Sequence, residues 1–181
     1  MQEKQIKITL EKKQIANDVV VQSNLLGRTL REAAKNNNDK SELASLLMTP
    51  DDGETKPIVA RAMTAGFAAV KNVCGVYLVT GRSTDDNRLE KIASTSGSTT
   101  TYGKFELVLS MPINFNTGVT ETIKSAAHKS IVDYIMKELL FNQVADKAAE
   151  YEKAHLADLE DLRTALRARI SDMQRRAVDW T

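Results

Sequence analysis

Phe105-Glu106-Leu107-Val108-Leu109-Ser110-Met111-Pro112 is the stretch on which the fold of this chain turns. Phe105, Leu107, Leu109 and Met111 fall on one face and Glu106 and Ser110 on the other, with Val108 the one apolar exception. Alternation with period two marks a strand with one face in the core. Pro112 ends the ladder because it has no N–H to donate. Asn114, Asn116 and Thr117 follow as turn and cap residues. A long helix then carries Val119, Ile123, Ala127, Ile131, Ile135 and Leu139 at intervals of four, flanked by Ala126, Tyr134 and Met136. A strand running through a capped turn into a helix is a packing unit, and Phe105 to Leu140 is expected to organise the rest.

Upstream, Gly81 to Gly103 is polar and small, with Ser94 to Thr101 entirely Ser, Thr and Gly. A connection of this length is long for two strands, and such loops are usually functional or mobile. Before it, Val76 to Thr80 reads as a second strand, expected to pair with 105–111 across the loop. A helix is expected from Pro57, a residue suited to a first turn, to Gly75, with Ile58, Ala62, Ala65, Ala69 and Val73 on one face. Gly66 in it lets a neighbouring backbone approach. Thr49 to Glu54 is a turn cluster, and Ser41 caps a short helix through Leu43, Leu46 and Leu47. Glu11 to Asn36 has helical period through Ile15, Val19, Leu26, Leu30 and Ala33, although Val19-Val20-Val21 also suits a strand. Gln5 to Leu10 alternates as a short strand.

Downstream, Phe141 to Asp146 is a break with Asp146 as the expected N-cap. The last helix, Lys147 to Arg176, carries Ala148, Tyr151, Leu159, Leu162, Leu166, Ile170 and Met173, with Leu156 alongside. Its spacing from Leu159 to Met173 approaches a coiled-coil seam. The fold class is therefore α+β and mainly helical: a helical bundle with a small antiparallel sheet or long-loop hairpin and a long C-terminal helix. Residues 1–146 form the core and 147–181 the helix and tail, packed on the core or on a neighbouring subunit.

The chain has 181 residues and is 42% hydrophobic but only 5% aromatic, which suits one domain with an aliphatic core. Its 25 Lys and Arg offset 24 Asp and Glu, for a net charge of +1. A dedicated nucleic-acid coat or membrane-surface protein is usually more basic. One cysteine, Cys74, cannot form an intramolecular disulfide, which suits a reducing compartment or a redox-indifferent particle. The N-terminal run Met1 to Gln5 is no apolar leader, and no run reaches the roughly 18–20 apolar residues that cross a bilayer. A soluble protein made inside the cell is expected.

Motif chemistry is sparse. His128 and His155 stand at no metal-ligand spacing, and helix-surface or half-buried positions are expected for them. Asp51-Asp52 and Asp85-Asp86 are paired acids of the kind that bind metals or transfer protons, but both lie in turn-forming sequence. Cys74 reads as a buried small hydrophobe. No phosphate-binding glycine loop or nucleophile elbow occurs. No catalytic residue, cofactor or metal is expected. What remains is suited to interaction. Arg82, Asp85, Asp86, Arg88 and Lys91 decorate the long loop. Arg169, Arg175 and Arg176 make the C-terminal end basic, where cations also suit the helix dipole. Trp180, the only Trp, is a residue type enriched at interface hot spots.

Three stretches carry a resemblance: Glu106 to Asn116, Met136-Lys137-Glu138-Leu139-Leu140-Phe141, and Lys147-Ala148-Ala149-Glu150-Tyr151. Together with the element order, they resemble short virion proteins of tailed phages, especially phages of Bacteroidetes, similar in layout to head–tail connector or neck adaptor proteins. The resemblance spans about the C-terminal half and rests on packing motifs. It implies a non-enzymatic structural protein that assembles as a homo-oligomeric ring below the portal, a dodecamer being one such ring. It further implies contact with the portal and adjacent neck or tail rings, passage of DNA without sequence specificity, no membrane, and a place in the virion neck after synthesis in the host cytoplasm. The alternative is a cytoplasmic adaptor module that oligomerises through its C-terminal helix.

Overall fold

The computed structural model describes residues 3–33, 55–79 and 103–170. In chain order they form β1 (Glu3–Glu11), α1 (Lys12–Ala33), α2 (Lys56–Cys74), β2 (Lys104–Pro112), α3 (Thr120–Leu140) and α4 (Ala145–Leu166). Single 3₁₀ turns follow α2 at Gly75–Tyr77 and precede α3 at Thr117–Val119. The architecture is mainly helical α+β, four helices around a two-stranded antiparallel sheet. The expected short helix at 41–47, the loop from 81 and the tail from 171 lie outside the described residues.

β2 forms as its alternation dictates. Phe105, Leu107, Leu109 and Met111 are all fully buried, while Glu106, Val108 and Ser110 are only partly so. Its partner, however, is β1 and not the expected strand at Val76 to Thr80. The register sets Ile6 opposite Leu109, Ile8 opposite Leu107 and Leu10 opposite Phe105, so both apolar rows face the core together. On the other face Lys7 reaches Glu106 at 2.7 Å and Lys104 reaches Glu11 at 3.6 Å. Val76 instead continues the helical turn after α2 and is 92% exposed. Only Leu78 forms a bridge, to Leu109, and Val79 donates to the Val108 carbonyl at 3.2 Å. β1 runs along one edge of β2 for nine residues, whereas the run after Gly75 begins as helix and meets β2 only at Leu78 and Val79, on the opposite edge.

α1 starts directly after β1, and the Lys12 N–H finds the Gly103 carbonyl at 3.2 Å. Val19-Val20-Val21 is helical here, with Val19 buried beside Ile15. Tertiary packing thus overrides the weak β-branched penalty. α2 begins as predicted with Pro57 in its first turn. Its buried face is rotated from the expected one: Ala62, Met63, Gly66, Phe67, Val70 and Cys74 are inside, and Ile58 is partly exposed. The larger side chains Met63 and Phe67 decide this, because Phe67 stacks on Phe105 with ring centroids 4.2 Å apart. At Gly66 an added Cβ would lie 3.3 Å from both Ile131 Cα and Tyr134 Cβ, so glycine sets how closely α2 meets α3.

α3 is the hub, packed against β1, α1, α2 and α4. Asn116 caps the turn before it, its side chain accepting from the Gly118 N–H at 3.0 Å. Ile123, Ala127, Ile131 and Ile135 face the core as their spacing requires, and Val132, Met136 and Leu140 are buried as well. Full burial of an aliphatic side chain is worth roughly 1.5–3 kcal/mol, so this helix holds the largest share of the fold together. α4 returns antiparallel along it and buries Ala148, His155, Leu162, Ala165 and Leu166. Its N-cap position is Val144, with no side-chain cap, and Asp146 sits inside the first turn, where a carboxylate suits the helix dipole.

α4 also ends at Leu166, ten residues before the expected Arg176. Residues 168–170 instead lie extended against 114–116. The Asn116 N–H donates to the Ala168 carbonyl at 3.3 Å, and the Ile170 N–H to the Asn114 carbonyl at 2.8 Å. This pairing removes Ile170 from the predicted seam and leaves it 56% exposed. The helix stops because the backbone finds these partners and Phe115 is buried beneath them.

Candidate functional site

Two kinds of feature stand out on this scaffold. One is a pair of exposed apolar ends. At the clasp between 114–116 and 168–170, Ile113 is 70% and Ile170 56% exposed. At the turn joining α3 to α4, Phe141 is 67% exposed and borders a shallow cleft with Ala145, Ala148 and Ala149. α3 separates these ends. Its 21 residues span about 31 Å at 1.5 Å per residue. Because α3 and α4 form an antiparallel hairpin, each end is built from both helices.

Arg169 stands at the clasp and is half-buried. Its Nη1 donates to the Leu166 and Ala168 carbonyls at 2.9 and 3.0 Å, and its Nη2 to the Tyr77 hydroxyl at 3.3 Å. The guanidinium carbon lies 5.9 Å from the centre of the Phe115 ring. Arg169 therefore gives the Leu166 carbonyl at the end of α4 a donor, adds a second donor to the Ala168 carbonyl, and ties the final turn to the segment after α2. Of the residues the sequence assigns to interaction, it is the one within the described residues. Arg82, Asp85, Asp86, Arg88, Lys91, Arg175, Arg176 and Trp180 lie outside them, as do the acidic pairs Asp51-Asp52 and Asp85-Asp86.

The other feature is a seam of polar side chains between the helices. His128 Nε2 on α3 lies 2.7 Å from Asp18 Oδ2 on α1. His155 is buried, more deeply than its sequence position suggests, with Nδ1 2.9 Å from both the hydroxyl and the carbonyl of Ser130. A carbonyl only accepts, so Nδ1 carries the proton. The imidazole also meets the Tyr134 ring edge-on at 5.2 Å. One helical turn further along α3, Asp133 lines the same cleft as Asp158 of α4. Burial, then the Asp158 charge, pushes the Asp133 carboxyl up to about 7. Asp158 is also raised, chiefly by burial. A cleft of about 410 Å³ between α1, α3 and α4 opens beside the pair, lined by Asp18, Gln22, His128, Lys129, Asp133 and Asp158 among others.

The carboxyl pair is the feature that sequence reasoning missed. A signal was present: Asp133 interrupts the otherwise apolar run Ile131 to Met136. Its partner became visible only once the turn at 141–144 set the register of the hairpin. Cys74 is fully buried as expected, and burial pushes its thiol up to about 12, which disfavours the thiolate. Among the described residues, no three His, Cys, Asp or Glu side chains gather in a way that would hold a metal ion. No helix in them is long and apolar enough to cross a membrane.

Comparison of the chain with protein-family models, curated proteins and solved structures finds no match.

Proposed function

We propose that this chain is a non-enzymatic virion structural protein, a head–tail connector subunit that assembles as a homo-oligomeric ring in the phage neck. The observation that carries the reading is the pair of exposed apolar ends, Ile113 and Ile170 before the start of α3 and Phe141 after its end, with a helix of about 31 Å between them. Two different apolar patches on one subunit suit a head-to-tail contact, in which one end of each copy meets the other end of the next. Such heterologous contacts close into rings when the rotation between copies divides the circle. The rigid hairpin between the ends would fix that rotation.

The resemblance of Glu106 to Asn116, Met136 to Phe141 and Lys147 to Tyr151 to connector proteins points the same way. In this reading the ring contacts the portal and the neighbouring neck or tail rings, and the balanced charge lets DNA pass without being held. The competing reading, a cytoplasmic adaptor that oligomerises through its last helix, needs an apolar stripe on the outside of α4. Leu162 and Leu166 are spent against α3, and Leu156 is the one large apolar side chain that α4 exposes.

Native mass spectrometry of the purified chain over a range of concentrations tests the proposal. A single closed species of defined copy number, seen as rings by negative-stain imaging, is expected. A dimer that never grows, or a monomer at all concentrations that also fails to associate with portal rings, counts against it.

A further inference from the structure

The α3–α4 hairpin carries an open groove of about 710 Å³ on the half nearest the clasp. It runs from Val119 and Ala168 beside the clasp to Lys129 and Asp158 part-way along the two helices. Its floor is small and apolar, with Ala126 and Ala165 both buried. Its charged lining is acidic, Glu121, Asp158 and Asp161 against Lys129. We propose that this groove receives the C-terminal segment, residues 171–181, of a neighbouring copy of this chain.

Charge and composition match the segment to the groove. The segment carries the pair Arg175-Arg176 at its middle and Ala177, Val178 and Trp180 after it, with Asp172 and Asp179 towards its two ends. Asp158 and Asp161 stand three residues apart on α4 and so share one helix face. An arginine pair laid against them makes charge-assisted contacts. The small floor leaves room for the apolar side chains that follow, and Trp and Arg are the residue types enriched where a few side chains carry a contact.

Where the described residues end decides which copy's groove is filled. The Asn116 N–H donates to the Ala168 carbonyl and the Ile170 N–H to the Asn114 carbonyl. From Ala168 to Ile170 the backbone therefore runs from Asn116 back towards Asn114, away from the start of α3 and from its own groove. The head-to-tail contact proposed above, on which this seating rests, puts that exit beside Phe141 of the next copy. Lys129 lies twelve residues before Phe141, about 18 Å along α3 at 1.5 Å per residue. Arg175 and Arg176 stand five and six residues beyond Ile170, a reach of roughly 17–20 Å for extended chain. The arginine pair thus comes level with the Lys129 and Asp158 end of the neighbour's groove, and the apolar residues after it continue towards Ala126 and Ala165.

Trp180 is the only Trp, so its fluorescence reads the segment alone in the full-length chain. Acrylamide quenching is followed against protein concentration, with assembly read by native mass spectrometry on the same samples. Protection of Trp180 is expected to appear as copies assemble and to be absent from dilute monomer. Charge reversal of the segment, Arg175→Glu with Arg176→Glu, should abolish the protection and weaken assembly roughly tenfold. Charge reversal of the groove, Glu121→Arg with Asp161→Arg, should do the same, and both positions are exposed, so the fold tolerates it. Combining the four substitutions should restore protection. Trp180 quenched as freely in assembled copies as in monomer overturns the seating and leaves the ring reading standing. Protection already complete in dilute monomer places the segment on its own chain, and protection that ignores both charge reversals places it outside the groove; either overturns the inference. A chain that stays monomeric at every concentration removes the ring and this contact together. The wild-type quenching needs no substitution, so it decides the matter even if a variant folds poorly.

Discussion

Truncating Phe105 to alanine should cost this fold about 4 kcal/mol, a figure built from a large-to-small core substitution of roughly 3–5 kcal/mol. Phe105 is fully buried and stacks on Phe67 of α2 at 4.2 Å with an interplanar angle of 18°. Such a ring pair is worth about 0.5–1.5 kcal/mol within that total. The ammonium of the buried Lys12 lies 4.8 Å from the same ring, so truncation also weakens a cation–π contact. Little can refill the space, because Leu10 opposite and Phe67 beside it are already held by their own strand and helix. Urea unfolding followed by far-UV circular dichroism reads the effect as a lower midpoint at unchanged slope. Val108→Ala on the other face of the same strand is the control, with an expected cost below about 1 kcal/mol. If Phe105→Ala costs less than about 1 kcal/mol, or no more than Val108→Ala, the face assignment of β2 and the packing of α2 upon it are refuted.

Gly66→Val should destabilise by about 3 kcal/mol by forcing α2 away from Ile131 and Tyr134, whereas Gly66→Ala should fall within about 1 kcal/mol of wild type because helix propensity offsets the crowding; urea midpoints distinguish the two. Arg169→Ala should cost about 1–2 kcal/mol and raise hydrogen exchange at residues 167–170, since the Leu166 carbonyl loses its side-chain donor and the Ala168 carbonyl keeps only the Asn116 N–H; unchanged exchange there would remove Arg169 as the cap. Cys74 should resist alkylation by iodoacetamide at mildly alkaline pH until the protein is unfolded, and rapid labelling of the native chain would contradict its burial.

Much of this architecture is legible in the chain because its signals are local. The alternation from Phe105 to Met111 and the four-residue spacing from Val119 to Leu139 each specify an element and its buried face. The misreadings are of another kind. Val76 to Thr80 looks as strand-like as Ile6 to Leu10, yet Gly75–Tyr77 continues as a helical turn and only Ile6 to Leu10 pairs along β2. The face of α2 follows from Phe67 meeting Phe105, a contact between residues distant in the chain. Arg167 to Arg176 carries good helix formers, yet α4 stops where the backbone of residues 114–116 offers partners. The carboxyl pair was hidden for the same reason, since Asp133 and Asp158 each look ordinary until the hairpin sets them side by side. The basic and acidic loop residues and Trp180 owe their candidacy to sequence alone.

The head-to-tail ring is tested most directly by disulfide trapping between the two apolar ends. Because Cys74 is buried, new cysteines at the surface are expected to report without interference from it. In the double variant Ile113→Cys, Phe141→Cys, mild oxidation should give a ladder of covalent multimers ending at one closed size, and neither single variant should cross-link. Dimers from a single variant would show a two-fold contact instead, and a double variant that stays monomeric under oxidation while native mass spectrometry shows no ring would contradict the assembly proposed for this protein.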